Sequence, residues 1–373
     1  MNDTPARDQP ETERLAPNEA LLERRRERDE QDYREWCESS FGMISVAQEE
    51  IHPADILDKC APDAARRGHA DALAQVRTDL EQTVCGAFPA PIAIPFHAFL
   101  EGPRSPLIRL HRLRDTWESL IRLLAAVALS EAASSSVSLA PLAIREGKDQ
   151  GWRPCKRRDL TSDKLSVRIG LIEGVVHQAH ELQVDLQVAT FLPMDVIGEI
   201  RRLNVVRNGF SHEATKSEAQ ARRIVEDVYP IFREVLLDLR ELQKIDLIRL
   251  QKIQPGHIAE VEPLTGHAQS RRIKEIKLDD AASAVAFSAT PLDGMDRILA
   301  RFGGKTLDLS PFLYAADDAT GHRTRILDFK CKDADEWHLE CVADSTITKS
   351  PAPQHESILA RLEVLFGQPE QGK

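Results

Sequence analysis

Four stretches between Ser105 and Leu239 repeat apolar residues every three or four positions, the spacing of one helix face. In the first, Ser105-Pro106 supplies a cap and a preset first helical residue, followed by Leu107, Leu110, Leu113, Trp117, Leu120, Leu124 and Val127. Thr161 and Ser162 precede the second, marked by Leu165, Ile169, Ile172 and Val176. The third opens near Pro193 and carries Val196, Ile200, Leu203 and Val206; Gly209 then argues against an unbroken continuation. The fourth starts on Ser217-Glu-Ala-Gln220, a capping-box pattern, and runs through Ile224, Val228, Phe232, Val235 and Leu239. Four such stripes find cover against one another, so the spacing predicts a helical bundle.

The flanks read differently. Residues 1–40 are polar, with early prolines and a mixed-charge run from Glu23 to Glu35, and are expected to form a flexible tail ending in a solvated helix. A modest helical region is expected over 41–98, where Leu73, Val76, Leu80 and Val84 recur before Pro89, Pro91 and Pro95 break the pattern. The bundle occupies 99–252. Beyond Pro255, short stretches of period two or β-rich composition at Arg271 to Leu278, Ser283 to Thr290 and Thr324 to Phe329 predict a small β-rich accessory domain over 255–373. Gly303-Gly304 has the chemistry of a tight hairpin turn, and Ser357 to Phe366 predicts a closing helix. The expected class is α+β, mainly α.

Composition narrows the functional classes. With 42% hydrophobic and 29% charged residues, the 373-residue chain can bury a core, which excludes wholesale disorder. A net charge of -11 argues against a protein that coats nucleic acid through a general basic surface. The charge is unevenly placed, however: residues 101–250 carry +2 and the remainder -13. The six cysteines are dispersed without a CxxC pair, no run of about 18 apolar residues occurs, and the N-terminus is charged. A cytoplasmic protein without a membrane partner is expected.

The segment Ile200-Arg-Arg-Leu-Asn-Val-Val-Arg207-Asn208-Gly-Phe-Ser-His212-Glu213 concentrates the chemistry. His212 can exchange protons near neutral pH, and Arg207 stays protonated and can fork two donors onto phosphate oxygens. RNA brings its own nucleophile, the 2′-OH. Cleavage therefore needs a group that moves its proton, a cation on the crowded phosphate and a proton for the leaving 5′ oxygen, giving a 2′,3′-cyclic phosphate. Residues 201–223 hold Arg201, Arg202, Arg207, Lys216, Arg222 and Arg223 against Glu213 and Glu218, a local +4 that suits a phosphate chain.

On these residues the chain resembles the HEPN superfamily, whose members carry Arg, often a polar residue next, and His after four to six intervening positions within a four-helix bundle. The resemblance covers about residues 100–250. It implies a metal-independent endoribonuclease needing no cofactor, usually a homodimer, acting as a toxin or antiphage effector of the abortive-infection kind. Arg207 and His212 would be catalytic with Asn208 as an accessory, while Arg201, Arg202, Lys216, Arg222 and Arg223 would hold RNA. The spacing alone is uninformative, because 35 arginines and 12 histidines generate about three such matches by chance. The second match, Arg104 to His111, straddles a helix start and reads as ordinary surface. In related toxins paired with a nucleotidyltransferase antitoxin, a tyrosine follows His by two; here Ala214 stands there, which favours control by a protein partner over that modification.

An unbroken helix would set positions 207 and 212 about 140° apart, so Gly209 or a second copy across a dimer would have to bring the pair together. The competing reading is a non-catalytic dimerisation and partner-binding scaffold, in which Arg207 forms a surface ion pair. Other groupings carry less. Gly303-Gly-Lys305-Thr306 imitates the end of a phosphate-binding loop, but Leu299 stands where its first glycine belongs. Glu173, His177 and His180 share a helical face with no further ligand in view, and Cys331, His338 and Cys341 make an incomplete zinc set. No metal is expected, and no G-x-S-x-G elbow occurs.

Overall fold

A computed structural model describes residues 19–46, 49–147, 150–211, 217–268, 272–279, 285, 292, 294–333 and 335–366. Helices dominate the first two thirds: α1 (Glu19–Phe41), a small hairpin of β1 (Ile44–Val46) and β2 (Glu49–Ile51), then α2 (Pro53–Cys60), α3 (Pro62–Ala87), α4 (Ala90–Glu101) and α5 (Pro106–Ser134). A second small hairpin, β3 (Ala143–Ile144) with β4 (Arg153–Pro154), leads through α6 (Arg157–Leu160) to α7 (Leu165–Glu181), α8 (Gln187–Phe191), α9 (Met194–Ser211) and α10 (Glu218–Asp238). After a 3-10 turn at Arg240–Lys244 come β5 (Asp246–Gln254), β6 (Ile258–Pro263), β7 (Lys274–Lys277), β8 (Asp296–Phe302), β9 (Lys305–Asp308), β10 (Leu313–Asp317), β11 (Thr324–Asp333), β12 (Glu336–Cys341) and β13 (Ile347–Pro351). The chain closes on α11 (Ala352–Leu359) and a 3-10 turn, Ala360–Leu365. The fold is α+β.

Of the expected helix caps the serine at 217 forms, whereas Ser105 makes no side-chain cap hydrogen bond and Lys164, rather than Thr161 or Ser162, precedes α7. Pro106 begins α5 after Ser105, and the Ser217 side chain accepts from the Gln220 amide while Gln220 reciprocates, the capping box that starts α10. α5, α7, α9 and α10 pack in a cycle, each against the next. α7 comes close to β3 because Gly170 and Gly174 face it: a Cβ on Gly174 would sit 2.1 Å from the Ala143 carbonyl oxygen. α9 departs from expectation at Gly209, where the helix continues to Ser211. One glycine costs a helix about 1 kcal/mol, which the buried face of Val196, Ile197, Ile200 and Leu203 offsets.

The main sheet is antiparallel, in the order β13-β12-β11-β10-β8-β5-β6-β7, with β9 folded back on β8. The β8–β9 turn is Gly303-Gly304, both at positive φ (55° and 74°), as a tight hairpin requires. The expected stretch Ser283 to Thr290 lies, apart from residue 285, outside the described residues. The closing helix begins earlier than expected, at Ala352.

Two other expectations change. Residue 252, the expected end of the bundle, falls within β5, and helices and sheet share one apolar cluster running from Leu21 to Leu365. The reason is α5: from Leu120 to Leu129 every residue is buried, so this helix is covered on all sides and serves both layers. Within the expected tail, residues 19–41 form a docked helix. Leu21, Tyr33 and Cys37 of α1 are buried, and Arg25 and Arg28 each reach Asp238 of α10 at 2.7 Å. A run that reads as solvated from its charge finds partners across the fold.

Candidate active site around Arg207

Arg207 lies in the last turns of α9, facing the middle of α5. Its Nη2 donates to Oε1 of Glu118, and its Nη1 donates to Oδ1 of Asn208 at 3.1 Å. The same Glu118 carboxylate takes Arg114 Nε at 3.6 Å on Oε1 and Arg122 Nη2 at 3.1 Å on Oε2. Three arginines thus gather on one carboxylate. Arg114, Glu118 and Arg122 stand four residues apart on α5, which places them on one helix face. Leu113, Trp117, Leu203, Val228 and Phe232 wall a hollow beside Arg114 and Arg207 with room for about one water molecule, at about 20 Å³. A phosphate chain would have to approach from outside.

Arg122 continues the network into the sheet. Its Nη1 lies 2.9 Å from Glu340 Oε2 on β12 and 3.6 Å from Asp328 Oδ2 on β11, while Lys330 Nζ meets Glu340 Oε1 at 3.0 Å. Burial pulls the Arg122 guanidinium down, but Asp328, Glu118 and Glu340 outweigh it and hold the group more firmly charged than usual. Asp328, 2% exposed, is pushed up to about 6 by burial in spite of Arg122 and Arg168. Arg168 of α7 donates to the carbonyls of Phe329 at 2.7 Å and Lys330 at 3.1 Å. Burial lowers it to about 10, and the neighbouring Arg122 pushes the same way.

The other expected site residues separate. His212 and Lys216 lie outside the described residues. Arg201 is 8% exposed and points inward, with Nη1 donating to the Glu146 carbonyl at 2.7 Å and Nη2 pairing with Glu173. Such a position presents no open face to a phosphate, so the expectation for Arg201 as an RNA ligand is corrected to an anchor between α9 and the β3 segment. Arg202 folds back onto Glu199, one turn away. Arg222 and Arg223 are exposed on the first turns of α10, Arg223 with Asp227 at 3.9 Å. The exposed Arg222 and Arg223 are sterically open to a phosphate chain, unlike Arg201.

The remaining groupings resolve into packing. Lys305 Nζ meets the buried Glu131 carboxylate at 2.7 Å, and Glu131 also takes the amides of Gln187 and Val188 that open α8. Glu173 is committed to Arg145 and Arg201, and His177 stacks on Trp152 with ring centroids 4.5 Å apart. Cys331 and His338 are cross-strand partners, Sγ to Nδ1 3.6 Å, and all six cysteines are free. Among the described residues no three His, Cys, Asp or Glu side chains form a group that could hold a metal, and no helix is long and apolar enough to cross a membrane. Comparison with protein-family models, with curated proteins and with solved structures returns no match.

Proposed function

We propose that the protein is a metal-independent endoribonuclease in which Arg207 stabilises the phosphate in the transition state, His212 moves the proton and Asn208 assists. One observation carries the reading: Arg207 and Asn208 stand together near the end of a helix packed in a four-helix cycle, with the Arg207 guanidinium held by Glu118, and His212 five positions further on in the sequence. A cation pinned before substrate arrives stabilises developing charge without reorganising. Attack by the 2′-OH yields a 2′,3′-cyclic phosphate and a 5′-hydroxyl. A second copy would supply the facing pair in a homodimer, and a toxin or antiphage setting under a regulatory or antitoxin protein follows from the resemblance to HEPN proteins. The test is RNA cleavage by purified protein in EDTA. Wild type should cut and His212→Ala should not; equal activity of the two ends the proposal.

A second reading is favoured by the ion pair itself. If Arg207 serves only to join α9 to α5, the bundle is a dimerisation and partner-binding scaffold. Biological activity would then survive both Arg207→Ala and His212→Ala and fail on interface changes.

A further inference from the structure

Five side chains connect the end of α9 to the sheet. Arg207 Nη2 meets Glu118 Oε1; Glu118 Oε2 meets Arg122 Nη2 at 3.1 Å; Arg122 Nη1 meets Glu340 at 2.9 Å and Asp328 at 3.6 Å. Glu118 gives one carboxylate oxygen to Arg207 and the other to Arg122, and Arg122 gives Nη2 to Glu118 and Nη1 to the sheet carboxylates, so neither can turn toward one side without loosening the other. The series is buried where it enters the sheet: Arg122 and Asp328 are among the buried charged residues, and Asp328 Oδ2 faces Arg122 Nη1 at 3.6 Å. A buried charge that loses its counter-ion is strongly destabilised, so the arrangement has few alternatives. The series also crosses from the motif-bearing helices into strands β11 and β12, for which neither the Arg207 chemistry nor the bundle itself accounts.

We propose that Arg122 is a positioning residue through which the C-terminal sheet sets the orientation of Arg207, with Glu118 as the intervening carboxylate. The proposal rests on the ribonuclease reading for its kinetic consequence, but the mechanical linkage stands independently of it. The sheet thereby belongs to the frame of the candidate site. A partner that shifts β11 or β12 would alter the guanidinium at the end of α9.

Hydrogen exchange and cleavage kinetics on the full chain test this with Glu340→Gln and Glu118→Gln. Lys349→Gln serves as control, since it breaks the Lys349–Glu336 pair on the same sheet away from the series. Amides of residues 203–208 should exchange several-fold faster in both series variants and at the wild-type rate in the control. kcat should fall about 10-fold in Glu340→Gln with KM within about 2-fold, the range expected of a coupled residue that does not touch substrate. Wild-type exchange over 203–208 in Glu340→Gln, or equal loosening in the control, overturns the linkage. A wild type that cleaves no RNA, with exchange still responding to Glu340→Gln, sinks the ribonuclease reading and leaves the linkage intact.

Discussion

Arg207 and Glu118 form an ion pair that ties the end of α9 to the middle of α5, and Glu118 retains two other arginines when Arg207 is removed. Arg207→Ala should therefore separate function from stability. Cleavage is expected to drop about 100-fold or more, as on removal of a transition-state donor, while chemical denaturation shows a loss of about 1 kcal/mol or less for a partly exposed pair. A loss of several kcal/mol with unchanged cleavage would assign the residue to the scaffold instead.

Asp328 predicts a pH signature. Its carboxyl is raised to about 6 by burial, above the ordinary 3.8. Between those values the folded state holds the proton more tightly than the unfolded chain, so this group's contribution to stability falls as pH rises from about 4 to 6 and is flat above. Unfolding free energies of wild type and Asp328→Asn measured across pH 4–7 should show the wild-type value falling relative to the variant, by about 2 kcal/mol. A constant difference would contradict the assignment.

His355 predicts the opposite slope. It lies fully buried between Tyr314 Oη at 3.1 Å and Ser350 Oγ at 2.8 Å, stacked on Trp337. Burial lowers it to about 4. Below its ordinary 6.5 the unfolded chain takes up a proton that the folded state refuses, so stability is lost as pH falls from about 6.5 to 4. The stability of wild type relative to His355→Gln should shrink over that window. Because the Asp328 effect runs the other way, each is read as a difference from its own variant.

Gly174 and Gly304 separate steric from backbone cost. Gly174→Ala improves helix propensity but drives a Cβ into the Ala143 carbonyl oxygen, so a net loss of about 2 kcal/mol is expected by thermal or urea unfolding. Gly304 has open space around it and a φ of 74°, so Gly304→Ala should cost about 1 kcal/mol from conformation alone. Equal effects at the two positions would contradict this.

The legible parts of the chain were those whose signals are local. Pro106, the Ser217 to Gln220 box and Gly303-Gly304 each specify a start or a turn by their own chemistry, and each stands where its signal predicts. The docking of α1 was hidden because Arg25 and Arg28 read as solvated charge until Asp238 and Glu234, some 200 residues on, supply the partners. The joining of bundle and sheet had one visible sign: apolar residues on every side of Leu120 to Leu129, more than one stripe needs. At the candidate site, the sequence singles out Arg207 by its neighbours but not the carboxylate that holds it. The sign of Glu118 and Arg122 is fainter: Arg114, Glu118 and Arg122 recur at four-residue spacing on a helix otherwise rich in leucine. For Arg201, a charge count cannot distinguish an exposed guanidinium from one that caps backbone carbonyls inside the fold.

The central claim, that Arg207 and His212 cut RNA through its own 2′-OH, is tested most directly on a matched pair of oligonucleotides. Once a cleavage site is mapped, the all-RNA strand is compared in EDTA with one carrying a single 2′-deoxy nucleotide on the 5′ side of that site. Wild type should convert the first to a 2′,3′-cyclic phosphate and leave the second intact, and Arg207→Ala and His212→Ala should cut neither. Cleavage of the deoxy strand at the same rate, or undiminished cleavage by either variant, would contradict the account.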